Sequence, residues 1–488
     1  MGNILSGLKP ELIWKHFEEI CNIPHPSKHE KGMIDYVVNF AKEHNLEYEV
    51  DDIGNVVIRK PATLGMENRK GIILQGHLDM VPQANSDVKH DFTKDPIKPR
   101  IEGDWVIATG TTLGADNGIG VSSALAILES TDLKHGPIEA LFTVDEETGM
   151  TGAFGLKPGF LKGDILLNLD SEDEGELFIG CAGGTNANAE FKFRKAPVPK
   201  NHLAYKIILK GLKGGHSGCD IHLGRGNSNE LMFRFLKFAE KKFNIRLASV
   251  EGGNLRNAIP REASAIILVP KMFKNEFEEY VNEFSDTIKK ELSVVEPDLQ
   301  FYFEKGRMPK NIIDKATQQK LIRAVYGCPN NVIRMSNDMP GLVETSTNLA
   351  IVKSDMNTKT IEVKCLLRSS VDSAKEALEE KIAAVFELAG AQISFDGQYP
   401  GWKPNPNSPI LNTMQNIYKE LFGKSPAVKA IHAGLECGLI GGVFPNLDMI
   451  SFGPTIKNPH SPDEKCSIST VQKFWEFLVK TLENVPLK

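Results

Sequence analysis

The sequence predicts an α/β protein interrupted by an inserted α+β domain. Three observations carry this reading. Short, nearly continuous apolar runs alternate with helical periodicity in the first part of the chain. The middle follows a β-α-β-β-α-β order. A Pro/Gly/Asn-rich stretch at 397–406 then reads as a linker, after which the α/β pattern returns. The boundaries predicted are 1–186 and 399–488 for the two parts of the first domain and 187–398 for the insertion.

The elements follow in order. Ile13, Phe17 and Ile20 recur at helical spacing, as do Ile34, Val37, Val38 and Ala41. Residues 55–59 and 71–75 read as strands. Residues 117–128 read as a helix with Ile119, Ala124, Ile127 and Leu128 on one side, and 138–144 and 164–169 as further strands. In the middle, strand 205–210, helix 229–242, strands 246–250 and 263–269, helix 273–292 and strand 299–303 make a ferredoxin-like unit, with Pro297 breaking the chain before its last strand. A looser set follows, with strands 345–352, 360–368 and 392–395 around helix 373–388, so the insertion reads as two similar halves without a sequence repeat. Helix 410–422 and strand 447–452 close the chain's second α/β part.

Composition narrows the class. At 488 residues, 41% hydrophobic and 25% charged, the chain has the balance of a soluble two-domain globular protein. Its net charge of −6 has both signs interspersed and no basic stripe, which argues against a nucleic-acid partner. No apolar run reaches the roughly 18 residues of a membrane span, and no charged segment followed by an apolar one marks a secretory signal. The seven cysteines are scattered without a C-x-x-C pair, against both a disulfide framework and a thiolate zinc site, so a reducing, cytoplasmic setting is expected. Met1-Gly2-Asn3-Ile4-Leu5-Ser6 fits the M-G-x-x-x-[ST] acylation pattern, but a pattern this short arises readily by chance.

Five motifs place metal-ligand residue types directly after strands or in Gly-rich turns: Gly76-His77-Leu78-Asp79, Gly114-Ala115-Asp116-Asn117-Gly118, Asp145-Glu146-Glu147-Thr148-Gly149, Asn168-Leu169-Asp170-Ser171-Glu172 and Asn458-Pro459-His460-Ser461. The carboxyl ends of strands in an open α/β sheet line one crevice, where residues distant in sequence converge. His77, Asp116, Glu147, Asp170 and His460 form a two-histidine, three-carboxylate set. Imidazole and carboxylate suit Zn²⁺, with Co²⁺ or Mn²⁺ able to substitute. Five ligands are too many for one catalytic ion with an open position and suit two ions if one carboxylate bridges.

In these motifs and their order, from Asn22-Ile23-Pro24-His25-Pro26-Ser27 to His460-Ser461-Pro462-Asp463-Glu464, the chain resembles metallopeptidase family M20 over nearly its whole length, most of all the members that act on aminoacyl-histidine dipeptides. The resemblance implies a di-zinc aminopeptidase-like catalytic domain and makes the inserted region a lid, which mediates dimerisation in smaller relatives. A homodimer is therefore expected, although this lid is longer than theirs. It implies that His77 and Asp170 hold one metal and Glu147 and His460 the other, with Asp116 bridging. Asp79 would hold the His77 ring and fix its tautomer, and Glu146 would be the general base. His216, in Gly214-Gly215-His216-Ser217-Gly218, would donate to the oxyanion, and Arg368 and Asn257 would bind the substrate's terminal carboxylate. Backbone N–H groups of the run 433–438, including Gly434, would assist.

Glu146 and Glu147 are neighbours, and neighbours on a strand face opposite ways, so the pair is predicted to lie at a bend. The function expected is hydrolysis of short peptides, chiefly dipeptides, Xaa-His and others. An N-acyl-amino-acid deacylase or a tripeptidase would use the same site. A non-catalytic metal-binding scaffold would lack the base or a ligand, and this chain has all six residues.

Overall fold

The computed structural model describes residues 4–488, so the first three residues of the acylation pattern lie outside it. The chain forms two compact units. One comprises the chain up to Gly180 with 404–430 and 435–488, and the other comprises 181–403 with 431–434.

The first unit is built on an eight-stranded sheet in the order Glu47–Val50, Val56–Lys60, Ile138–Thr143, Ile72–His77, Ile165–Asn168, Asp448–Ser451, Glu176–Cys181, Ala427–Ile431. The four strands from Ile138–Thr143 to Asp448–Ser451 run parallel. Every residue of Ile72–His77, Ile138–Thr143 and Ile165–Asn168 is buried, which is why these segments are almost wholly apolar until their last residues. From Ile72–His77 the chain goes first to the neighbour on one side, Ile138–Thr143, and then to the neighbour on the other, Ile165–Asn168. His77 thus ends the strand at the topological switch point, where α/β sheets open a crevice. Helix Ala115–Glu129 packs on this sheet and is buried nearly all round. Gly118 lets Phe17 of helix Glu11–Cys21 approach, since a Cβ there would lie 2.9 Å from the ring. A four-stranded sheet, in the order Ile456–Lys457, Lys465–Ser467, Trp105–Ala108, Pro99–Glu102, frames the loops that carry Asp116 and His460.

The second unit holds a nine-stranded sheet with helices Ser228–Phe243, Lys274–Glu291, Lys315–Gly327 and Asp372–Leu388. Strands Gln300–Lys305, His202–Lys210, Ala263–Pro270 and Arg246–Gly252 lie side by side in the ferredoxin-like order 4-1-3-2. Val343–Asp355, Thr360–Ser369, Gly183–Lys192 and Gln392–Tyr399 repeat that order in mirror sequence, with Gly183–Lys192 as the first strand of this half. The halves join where Glu251 and Gly252 pair with Lys353 and Val352.

These pairings move the expected boundaries. The start shifts from 187 to 181, because Gly183–Lys192 pairs along its whole length with Thr360–Ser369. The end shifts from 398 to 403: strand Gln392–Tyr399 runs into the expected linker, and Cys181 and Trp402 exchange both backbone hydrogen bonds at 3.0 Å. Residues 431–434, expected in the first domain, belong to the second unit, where Ala182 N–H donates to the carbonyls of Ile431 and Ala433.

Candidate metal centre

His77 is the last residue of its strand and is 1% exposed. Its Nε2 lies 3.1 Å from Asp116 Oδ1 and 3.3 Å from Asp170 Oδ1. Its Nδ1 lies 3.0 Å from the Asp79 carbonyl oxygen and 3.4 Å from the Asp79 carboxylate. The sequence reading assigns the carboxylate to this ring, whereas the carbonyl is the nearer acceptor. The Asp79 carboxylate also accepts from Ser27 Oγ at 2.7 Å and from the backbone N–H groups of Glu146 at 2.9 Å and Glu147 at 3.2 Å. Asp79 thereby ties the His77 loop to the loop carrying both glutamates.

Asp116 sits at the start of its helix, after Gly114 in the left-handed region at φ 73°. The Glu464 carboxylate accepts from the backbone N–H groups of Leu113, Gly114, Ala115 and Asp116 at 2.8–3.3 Å, and so clamps the turn. With the turn fixed, Asp116 presents Oδ1 to His77 and Oδ2 to His460, each at 3.1 Å. The bend expected at the glutamates is a single helical turn, Glu146–Gly149, entered through Asp145 at φ 55°. Glu147 Oε1 lies 3.0 Å from His460 Nε2. His460 has φ 60° and a half-exposed side chain.

Potential ligand atoms of His77, Asp116 and Asp170 lie within 4.8 Å of one another, and so do those of Asp116, Glu147 and His460. Asp116 belongs to both groups. Glu147 Oε1 and Asp170 Oδ1 are buried and accept no hydrogen bond, although each is close to an imidazole Nε2. Imidazole nitrogens and carboxylate oxygens converging on a common centre are what divalent cations require, and this donor set fits two such ions.

The proton affinities reflect the same crowding. Burial, together with Asp116 and Glu436, pushes Asp170 up to about 8 despite His77. Burial with Asp116 and Asp170 lifts Glu172 to about 8. The adjoining carboxylates of Asp116 and Glu147 raise His460 to about 11. Burial holds Glu146 well above the usual carboxylate range against the pull of His77, with Asp170, Glu436 and Glu147 adding to the rise. All four are raised, so the metal-free folded chain holds protons that the unfolded chain releases between about pH 4 and 8. Stability of chelator-treated protein is therefore expected to fall as pH rises from about 5.5 to 8.5. Saturating metal, which binds the deprotonated ligands, should reverse that trend, and melting temperatures across the range with and without metal check the sign.

The remaining predicted residues, His216, Asn257, Arg368 and Gly434, belong to the second unit. His216 Nδ1 accepts from the N–H groups of Gly218 and Cys219 at 3.2 and 3.0 Å, which leaves Nε2 as the donor of the neutral ring. Burial and Arg368 lower its pKa, favouring that neutral form. Arg368 is 5% exposed, donates from Nη1 to the Tyr399 hydroxyl at 3.1 Å, and has a buried Nε without an acceptor. Asn257 is exposed, and its carbonyl accepts from Ser217 N–H at 2.8 Å.

Glu464, Glu436 and His432 were not singled out from the sequence. Burial lifts Glu436 to about 7, and burial with Arg368 and His216 lowers His432 to about 3. His432 Nε2 is hydrogen-bonded to Ser346 Oγ at 2.7 Å. The available signal was a charged or titratable residue beside a glycine turn or close to a motif, which is too common to select them.

Residues 73–484 match the model of peptidase family M20/M25/M40. The chain is 47% identical to the cytosol non-specific dipeptidase of Escherichia coli over 484 residues, 99% of each chain. It is similar to the crystal structure of aminoacylhistidine dipeptidase from Vibrio alginolyticus, with a TM-score of 0.95, 50% identity and coverage of 99% of this chain and 98% of that one. An aminopeptidase structure from Bacillus cereus shares the fold at 17% identity and a TM-score of 0.57, over 98% and 99% of the two chains.

Proposed function

The chain belongs to peptidase family M20/M25/M40, and on that premise we propose that it hydrolyses dipeptides, Xaa-His among them, at a site holding two zinc ions with Glu146 as general base. The observation that carries this reading is the Asp116 carboxylate, which gives one oxygen to each imidazole while each imidazole also meets a second carboxylate, Asp170 or Glu147. His77 and Asp170 would hold one ion, Glu147 and His460 the other, and Asp116 both, with Co²⁺ or Mn²⁺ able to replace zinc. Ions bound there supply Lewis acidity toward the peptide carbonyl and lower the pKa of water from 15.7 to about 7.

The chain's own groups then divide the work. Glu146 takes the proton of the attacking water and hands it to the leaving amine nitrogen. Asp79 holds the backbone of Glu146 and Glu147, so the base cannot drift from the ligand beside it. His216, neutral with its proton on Nε2, donates to the oxyanion of the tetrahedral intermediate. Arg368, with a buried N–H lacking an acceptor, pairs with the substrate's C-terminal carboxylate, and Asn257 and the backbone at Gly434 supplement it. The cytosol is the compartment proposed, in keeping with seven scattered cysteines that include no C-x-x-C pair and with the name of the Escherichia coli relative. No helix of the described residues is long and apolar enough to cross a membrane. A homodimer belongs to the same reading, and sedimentation velocity measures it directly.

Arg368→Ala tests the substrate assignment. A free dipeptide should lose about 1.5–3 kcal/mol of transition-state stabilisation, seen in kcat/KM, because a charged hydrogen bond is removed. The corresponding dipeptide amide should lose much less. Equal losses on both substrates would remove Arg368 from carboxylate binding.

A further inference from the structure

Under the ligand layer lies a second set of buried polar groups that the chemistry above does not use. Gln75 is two residues before His77, Asn168 two before Asp170, and Thr143 three before Glu146. The strand register places Gln75 beside Asn168 and Thr143 beside His77. Asn168 Nδ2 donates to Gln75 Oε1 at 2.5 Å, and Gln75 Nε2 donates to Glu436 Oε2 at 2.6 Å. Thr143 Oγ1 donates to the same Glu436 oxygen at 2.8 Å. All four side chains are at most 1% exposed. Glu436 Oε1 and Asn168 Oδ1 are buried without a partner.

Packing four polar side chains at the carboxyl ends of three central strands, two of them incompletely satisfied, costs more than filling the same space with apolar ones. What the arrangement supplies instead is a connection. The Glu436 carboxylate, entering from the start of helix Glu436–Val443, ties Gln75 and Thr143 on two adjacent strands, and Gln75 carries the connection on to Asn168 on the third. Those are the strands whose ends lead into His77, Glu146–Glu147 and Asp170.

We propose that Glu436, Gln75, Thr143 and Asn168 form a positioning network that holds the three ligand-bearing strand ends in common register and thereby sets the affinity of the site for metal. The proposal rests on the metal-site reading above. Groups that orient ligands without touching the metal typically change affinity or activity 10–100-fold when removed.

Gln75→Leu removes the amide's contacts to Asn168, Glu436 and Thr143 at similar volume, and Thr143→Val removes one donor without changing shape. Zinc affinity would be measured on metal-stripped protein by competition with a chromophoric chelator. It is expected to fall about 10–100-fold in Gln75→Leu and less in Thr143→Val. The kcat of the zinc-loaded enzyme on a dipeptide should fall with KM nearly unchanged. Gln75→Glu alone sets two carboxyls face to face and should also weaken zinc binding. Combining it with Glu436→Gln exchanges donor and acceptor across the same contact and should restore affinity to near wild type. A folded Gln75→Leu protein with wild-type zinc affinity would overturn the proposal, even if its melting temperature fell, because the layer would then be structural only. If Gln75→Leu does not fold, equal zinc affinity in Gln75→Glu and the double variant would overturn it equally. The wild-type curve in the same titration checks the metal-site reading separately, since wild-type protein that binds no zinc would refute that reading rather than the network.

Discussion

Glu146→Gln is expected to lower kcat on a dipeptide about 10²–10⁴-fold, the range assigned to a positioned general acid–base group, while the metal content of the protein stays unchanged. The amide is nearly isosteric and leaves the turn Glu146–Gly149 intact, since the turn is held through the Glu146 backbone N–H on Asp79. It cannot take a proton from water. Glu147→Gln should behave differently, because Glu147 Oε1 faces His460 and a weakened ligand should release metal. Elemental analysis beside kcat separates the two glutamates. Wild-type turnover in Glu146→Gln would remove that residue from the chemistry.

Asp116→Ala is expected to remove both metals and, with them, all measurable turnover. Asp116 is the residue common to both ligand groups, and its two oxygens face different imidazoles. His460→Ala touches one group only and should leave about one ion per chain. The contrast between the two variants matters more than either alone. A carboxylate serving a single ion would give the same stoichiometry in both, whereas a shared one empties the site. Two ions retained in Asp116→Ala would contradict the sharing.

The strands that carry the site were legible because full burial makes them nearly all apolar, as in Ile72-Ile73-Leu74 and Ile165-Leu166-Leu167. The ligand residues were legible because each lies just past such a run or in a glycine turn. Strand Gly183–Lys192 was not. Its inward positions run Gly183, Thr185, Ala187, Ala189 and Phe191, so only the last carries a large apolar side chain to mark the strand. The glycines are required by close packing, since a Cβ on Gly183 would lie 2.5 Å from the Gly401 nitrogen. Missing that strand also hid the first element of the second ferredoxin-like half and placed the boundary too late. The small sheet around Trp105–Ala108 escaped because its strands are two to four residues long and half exposed.

Glu464 and Glu436 escaped for a different reason. Their partners, the backbone N–H groups of 113–116 and the side chains of Gln75 and Thr143, lie some 300 residues or more away in sequence, and only the fold brings them together. Asp79 shows the limit from the other side. Its importance was legible, but its main partners are two backbone amides beyond the next strand, and the His77 ring lies nearer its carbonyl than its carboxylate.

The most direct test of the central claim is a zinc titration of metal-stripped protein in which bound metal and hydrolysis of a free dipeptide are followed in the same samples. The account expects no turnover without metal, saturation at two ions per chain, and full activity only with all five ligands His77, Asp116, Glu147, Asp170 and His460 intact. Hydrolysis by protein shown to be metal-free, or saturation at a single ion unaffected by Asp116→Ala, would contradict it.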